Sequence, residues 1–506
     1  MAEILLSSLN ARYAHTAFGL RYLLANLGDL QSRAEIAEFD TSQRPIDIAE
    51  RILARTPRIV GLGVYIWNVA LTTELVGLLK RLAPRTIIVL GGPEVSHEFD
   101  SQEIVRLADF TIAGEADLEF PVLCRRLLEG QRPLDKIVHA NPPHFRDLRL
   151  PYDFYGERDI AHRVIYVEAS RGCPFTCEFC LSSLEVPVRQ APLDSFLQAM
   201  DSLLQRGVRQ FKFVDRTFNL NIQTSRAILQ FFLDRMQPGL FVHFEMIPDR
   251  LPDSLRALIA RFPPGTLQFE VGIQSFDPKV QELISRRQDN DRTEENLRWL
   301  RKETHVHVHA DLIVGLPGES IEGFAAGFDR LYALQPQEIQ VGMLKRLRGT
   351  PIVRHDAEWN MVYSPHPPYE VMSTKRIDFP AMCRLRRFAR YWDLVANSGR
   401  FVHALPILLD GRSPFENFLA LSDWLWETTG QTHGIALVRL FELLHRYVNR
   451  VGTRENFSAA LLRDYQRDGR TDTPSFMNAS TIREPFREES TSAAGMKRQL
   501  RHGERR

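Results

Sequence analysis

The sequence predicts an α/β fold: a doubly wound, Rossmann-like domain at the N-terminus, then a second α/β stretch of six strand–helix units, then a mostly helical region. Three observations carry this expectation. Short apolar strands alternate with amphipathic helices over residues 1–135 and again over 161–355. Beyond that only the helical period continues, over 356–465. Early in the second stretch stands Arg171-Gly172-Cys173-Pro174-Phe175-Thr176-Cys177-Glu178-Phe179-Cys180, at the end of a strand-like run.

In the first stretch, Ile4–Leu6, Ile36–Phe39, Ile59–Tyr65, Ile87–Leu90 and Phe110–Ala113 read as strands. Leu20, Leu23, Leu24 and Leu27 share one helical face, as do Leu71, Leu75, Leu78, Leu79 and Leu82. The alternation predicts a parallel sheet, which binds its ligands beyond the C-terminal ends of its strands. The loops there carry Asn10, Tyr65, Trp67, Gly91, Gly92, Gly114 and Glu115. Glycines at strand ends let backbone approach a ligand closely, and Tyr65 and Trp67 are suited to cover a flat one. Residues 136–160, with Asn141-Pro142-Pro143 and Pro151, read as a linker.

In the second stretch the strands are Val164–Ala169, Phe211–Val214, Phe241–Glu245, Leu267–Ile273, Val306–Val314 and Ile339–Met343. Helices fall at Phe196–Leu204, Ile222–Met236, Leu255–Phe262, Glu294–Lys302 and Ile321–Leu334. Six units are too few to close an eight-unit barrel. At the strand ends lie Asp215, Glu245, Gln274, Ile313 and Gly315. Asn219 and Asn221 suit a helix N-cap, and the Gly-Leu-Pro-Gly-Glu turn places Glu319 near a helix start. Aromatic and leucine stripes over 370–450 read as helical core, and the charged tail over 466–506 reads as disordered.

Bulk properties narrow the class. The 506 residues carry a net charge of +1, which gives no overall pull toward nucleic acid or anionic membrane. Five cysteines, three of them clustered, do not make a disulfide framework, and the start of the chain lacks a signal-peptide pattern. No apolar run is long enough to span a bilayer. A cytoplasmic protein is expected.

Cys173, Cys177 and Cys180 have the spacing Cys-x3-Cys-x2-Cys. Thiolates suit zinc and iron–sulfur clusters, and a closed site needs four protein ligands. The nearest other cysteine is Cys124, and no histidine follows the triplet closely. Three local ligands can hold three irons of a four-iron, four-sulfur cluster and leave the fourth open. A zinc site completed by a distant residue, or three separate buried thiols, are the blander readings.

The triplet, with Phe179 before its last cysteine, resembles the signature of the radical S-adenosylmethionine (SAM) superfamily. The resemblance implies a partial (β/α)6 barrel, a 4Fe-4S cluster on the three cysteines, and SAM bound at the open iron. It implies roles in the SAM pocket for Phe179, Asp215, Glu245, Gln274, Ile313 and Gly315. The first stretch resembles the cobalamin-binding domain of one branch of that superfamily, through Gly91-Gly92-Pro93 and Gly114-Glu115. The branch's Asp-x-His-x-x-Gly motif is missing, and His15 is the loop histidine nearest that place. The function implied is reductive cleavage of SAM to a 5′-deoxyadenosyl radical, for methyl transfer to, or rearrangement of, an unactivated carbon. A small-molecule substrate and a low-potential donor such as flavodoxin or ferredoxin would be the partners. The rival expectations are a methylthiotransferase acting on transfer RNA and a non-catalytic cobalamin or cluster carrier.

Overall fold

The computed structural model describes residues 2–184, 187–411, 413–452, 456–467, 474 and 497–502. The chain divides into two compact units. The first comprises Met1–Arg216 with Lys345–Val353 and Ser364–Glu370; the second comprises Thr217–Leu344, Arg354–Tyr363 and Val371–Arg506.

The first unit is built on β1 (Ile4–Asn10), β2 (Ala34–Asp40), β3 (Ile59–Gly63), β4 (Ile87–Gly91), β5 (Phe110–Ala113) and β6 (Ile137–His139). Their order is β2-β1-β3-β4-β5-β6, all parallel. Alternation along β1 explains the two layers. Leu5 and Leu9 enter one core with Ile48, Ile52, Leu75 and Leu79, while Ile4 and Leu6 enter the other with Leu20, Leu123 and Leu127. Helices therefore cover both faces, and β1 is buried along its whole length. The strand order reverses between β1 and β3, and a doubly wound sheet opens its ligand crevice at such a point.

The predicted linker is ordered structure. Residues 137–139 form the edge strand β6, and Glu157–His162 is a helix. Asp159 and Arg163 join a buried ion network with Arg21 and Glu38. Despite its burial, the Glu38 carboxyl is held down to about 2 by Arg21 and Arg163.

The same unit contains β7 (Ile165–Val167), the short antiparallel pair β8 (Ser170–Arg171) and β9 (Arg189–Gln190), and β10 (Gln210–Phe213), which runs parallel to β7. The cysteine loop is thus closed at its base by a two-stranded clasp.

The second unit carries β11 (Phe241–Met246), β12 (Leu267–Gln274), β13 (His307–Val314) and β14 (Glu338–Met343), each parallel to the next. One face is apolar: Phe244, Phe269, Val271, Ile273, Val308, Ala310 and Leu312 are buried. The other is unexpectedly ionisable. His243 lies 3.1 Å from Glu270, and His307 lies 3.0 Å from Glu338.

The helical region follows as Phe379–Val395, Ala404–Leu409, Pro414–Thr429, Leu437–Val451 and Phe457–Arg467. The expected aromatic core is present: Trp392 meets Phe328, Phe388 and Phe418 with ring centroids 4.8–6.1 Å apart. Of the tail expected to be disordered, residues 468–473, 475–496 and 503–506 lie outside the described residues. Lys497–His502, however, is a helix. Arg498 binds Glu338 at 2.8 Å and Asp393 at 2.7 Å, and Gln499 binds Gln268 at 2.9 Å. These tertiary contacts order a segment whose composition alone reads as solvated. No helix among the described residues is long and apolar enough to cross a membrane.

Candidate active site

A crevice of about 300 Å³ opens at the C-terminal ends of β3, β4 and β5. Gly63, Tyr65, Gly91, Gly92, Gly114 and Glu115 line it from the sheet side, and Ser170, Arg171 and Gly172 from the cysteine-loop side. Gly91 is bare wall, with no atom within 4 Å of where a Cβ would stand. Gly92 is a different case. At φ +109°, a Cβ would come within 2.5 Å of the Val64 carbonyl, so only glycine turns the chain there.

Tyr65 lines the crevice with its ring stacked 4.5 Å from Trp67, which is half exposed and is not part of the lining. Asn68 fixes this turn by accepting from the Tyr65 amide and donating to Leu9 and Gly63 carbonyls. Sequence reasoning passed over it, since its side chain bonds back to Tyr65 and across to Leu9 and Gly63 rather than forward to its own turn.

Two expectations at the first strand end change. Asn10 is buried, and its amide donates to the His15 carbonyl and to Glu38 rather than lining the crevice. The His15 ring meets the Tyr166 hydroxyl at 2.6 Å. No histidine lines the crevice among the described residues.

The cysteine loop leaves β8 through Gly172 at φ +88°. Cys177 is buried, while Cys173 and Cys180 are partly exposed. The loop is wound tightly: the Cys180 amide donates to Cys177, and the Ser183 amide and hydroxyl donate to the Cys180 carbonyl. The Ile352 amide donates to the carbonyl of Glu178, beside Phe179. Among the described residues no three His, Cys, Asp or Glu side chains converge as a single metal ion would require. A four-iron cluster does not ask for that, since each thiolate binds a separate iron.

Asp215 sits directly behind the loop. Its carboxylate accepts from the Ala169 amide at 3.0 and 3.2 Å and from the Ser170 hydroxyl at 2.6 Å. Burial pushes its carboxyl up to about 7, against these hydrogen bonds. It anchors the start of the loop, a role the sequence expectation of a SAM contact did not include.

In the second unit Glu245 and Glu270 stand opposite each other on β11 and β12. β12 ends in a bulge between Gly272 and Gln274, with Gln274 at φ +70°. The Gln274 amide folds over Gly272, where a Cβ would lie 2.5 Å from its nitrogen, and its buried oxygen has no hydrogen-bond partner. A non-glycine residue held at positive φ beside an unsatisfied acceptor is a common mark of a ligand site. Ile313 is half-buried on the face shared with His307, His309 and Asp311. Gly315, at φ +85°, has no room for a Cβ, which would lie 2.7 Å from Val371.

Two further residues depart from expectation. Asn221 caps the helix Ile222–Asp234, but Asn219 instead pins the loop after β11 through Ile247 and Arg250. Glu319 is not in a first helical turn; it is buried before the N-cap Ser320 and accepts from Ser275 at 3.0 Å. Burial raises its carboxyl to about 8. The histidines of β13 were legible only as strand residues, because His-Val-His-Val-His reads first as a period of two.

An open doubly wound domain with a strand-end crevice, followed by parallel α/β units with a three-thiol loop, is the class defined so far. Comparison with known families gives three matches: the B12 binding domain over residues 7–123, the radical SAM superfamily over 167–331, and a protein of unknown function, DUF4080, over 357–502. The chain thus carries, in order, a B12-binding domain, a radical SAM domain and a C-terminal domain of unknown function.

Among relatives, an uncharacterized methyltransferase of Pyrococcus horikoshii is 25% identical over 54% of this chain and 64% of its own length. A ribosomal protein uS12 methylthiotransferase of Pelobacter propionicus is 26% identical over 37% of this chain and 43% of its own. The chain thus spans less than two thirds of these relatives. Two solved structures share the fold. The radical SAM methyltransferase TsrM of Kitasatospora setae matches with a TM-score of 0.58 at 18% identity, over 71% of this chain and 76% of that one. The cobalamin-dependent SAM radical enzyme OxsB matches with a TM-score of 0.62 at 14% identity, over 92% and 83%.

Proposed function

We propose that this protein is a cobalamin-dependent radical SAM enzyme, and that methyl transfer to an unactivated carbon of a small-molecule substrate is its reaction. The observation that carries the reading is the shared wall: Ser170, Arg171 and Gly172, which lead into the cysteine loop, also line the crevice at the strand ends of the B12-binding domain.

Cys173, Cys177 and Cys180 would hold the 4Fe-4S cluster. Glu245, Gln274, Ile313 and Gly315 of the second unit would contact SAM. Tyr65, Gly91, Gly92, Gly114 and Glu115 would hold the corrin, with bare backbone at Gly91 against its edge. When bound, the cluster supplies the electron that cleaves the SAM sulfonium, and cobalamin supplies methyl-carrying chemistry. The chain's own part is to hold and enclose. Asp215 fixes the loop start, and the buried walls keep water from a reactive centre. A low-potential flavodoxin or ferredoxin is the expected electron source, in a reducing cytoplasm that keeps the five cysteines out of disulfides.

The methylthiotransferase reading needs further cysteine ligands in the N-terminal domain. The first 135 residues hold only Cys124, a buried thiol that burial pushes up to about 12, far from the thiolate a cluster requires. Anaerobic reconstitution with iron, sulfide and hydroxocobalamin, followed by an assay for 5′-deoxyadenosine and a corrin spectrum, tests the proposal. A protein that takes up both cofactors but never consumes SAM would instead be a carrier.

A further inference from the structure

The base of the cysteine loop is gripped by an ionic hub that neither cofactor requires for its ligation. Arg171 lies two residues before Cys173. Its Nε donates to Glu168 at 2.9 Å, and its Nη1 donates to Glu115 at 2.9 Å and to Asp117 at 2.8 Å. Its Nη2 reaches the second oxygen of Asp117 at 3.2 Å. The guanidinium is stacked 4.4 Å from the Tyr22 ring centroid and 5.4 Å from that of Phe145.

Arg189, the partner of Arg171 across the β8–β9 clasp, also binds Glu115. Its Nη1 donates in addition to the Pro143 carbonyl at 2.7 Å. Both ends of the loop's clasp therefore close on one carboxylate. Glu115 and Asp117 belong to the strand-end segment Gly114-Glu115-Ala116-Asp117, every residue of which lines the crevice. All five charged side chains are at least 85% buried, so these contacts are little screened by water.

Resting on the function proposed above, we infer that Arg171 is a positioning residue that couples the two cofactor sites. A flat ligand seated against residues 114–117 sets the two carboxylates. The rigid guanidinium fork carries that setting to Gly172, whose positive φ marks the turn into Cys173. Occupancy of the crevice is then felt at the cluster, and by linkage the cluster is felt in the crevice by the same factor. Lysine keeps the charge but has no fork, so it cannot hold Glu168, Glu115 and Asp117 in one plane.

The test uses the full-length reconstituted protein, with hydroxocobalamin as the probe. Its dissociation constant is measured with and without the cluster, and the electron paramagnetic resonance spectrum of the reduced cluster is recorded with and without the corrin. In the wild type the cluster should change corrin affinity by at least about fivefold, and the corrin should shift the cluster spectrum. In Arg171→Lys, and in Arg171→Gln, which has neither the charge nor the fork, the protein should still take up cluster and corrin. The affinity difference should fall below about twofold, and the spectral shift should vanish. Equal corrin affinity with and without cluster in the wild type, or full coupling in both variants, overturns the inference. A wild type that takes up no corrin overturns the functional reading as well, so the two failures are distinguishable.

Discussion

Asp215 grips the amide of Ala169 with both carboxylate oxygens, at 3.0 and 3.2 Å, one residue before the clasp that closes the cysteine loop. The strand that ends at Val167 and the loop that begins at Ser170 are thereby joined through a side chain from the end of the neighbouring strand. The loop's position is a property of the sheet rather than of the loop itself.

Asp215→Asn should therefore loosen the loop and lower the iron content of reconstituted protein, with a stability loss of about 1–3 kcal/mol. The variant also has a pH signature. The folded carboxyl titrates near 7 against an ordinary 3.8, so the folded state holds a proton that the unfolded state has released between those values. Its contribution to stability is present below pH 3.8 and is lost as pH rises toward 7. Urea unfolding of apoprotein at pH 5 and pH 7.5 should show that loss in the wild type and less of it in Asp215→Asn. Identical pH slopes would remove the assignment.

The crevice makes a contrast between neighbouring residues. Gly91→Leu projects a side chain into bare space, so corrin affinity should fall by tenfold or more, about 1.4 kcal/mol, with little change in melting temperature. Tyr65→Ala should weaken corrin binding more than Trp67→Ala, since only Tyr65 lines the crevice. His15→Ala should leave the corrin absorption spectrum unchanged, because that ring is committed to Tyr166. A spectral change on losing His15 would restore it as a cobalt ligand.

Gly315→Ala faces two obstacles at once, a positive φ and the Val371 side chain at 2.7 Å. A loss of about 1–3 kcal/mol is expected, read by chemical denaturation. Gln274→Ala should behave oppositely. It removes a strained, unsatisfied amide and should leave stability unchanged while raising the concentration of SAM needed for half-maximal cleavage.

Glu319, raised to about 8, is protonated at neutral pH. Glu319→Gln mimics that state and should match wild-type stability below about pH 4.5, where folded and unfolded wild type are both protonated. As pH rises from 4.5 toward 8 the unfolded wild type releases its proton while the folded state keeps it, so the variant should become progressively the more stable of the two. Thermal unfolding at pH 5 and pH 8 checks the widening gap.

Much of this was legible beforehand. Every strand of both parallel stretches except the edge strand Ile137–His139 was found, because buried parallel strands read as continuous Val, Ile and Leu runs. The cysteine triplet was legible because ligand spacing is local. What escaped was set by distant partners. Ile137–His139 is too short to show a period and becomes a strand only beside Thr111–Ala113. Lys497–His502 is helical through its contacts with Glu338, Asp393 and Gln268. Asn219 has the chemistry of a cap, yet Ile247 and Arg250 were the nearer partners. Arg171 was visible only as part of the cysteine-loop run, since nothing local marks its partners. The Glu115, Asp117 and Glu168 side chains that surround it come from two separate strand ends.

The central claim is that three thiolates hold an iron–sulfur cluster with one iron left for SAM. Mössbauer spectroscopy of anaerobically reconstituted, ⁵⁷Fe-labelled protein, before and after addition of SAM, tests it most directly. The account predicts about four irons per chain in one cluster, with the signal of a single iron shifting when SAM is added, and loss of the cluster in Cys173→Ala, Cys177→Ala or Cys180→Ala. Zinc in place of iron, or a cluster whose spectrum SAM leaves untouched, would contradict it.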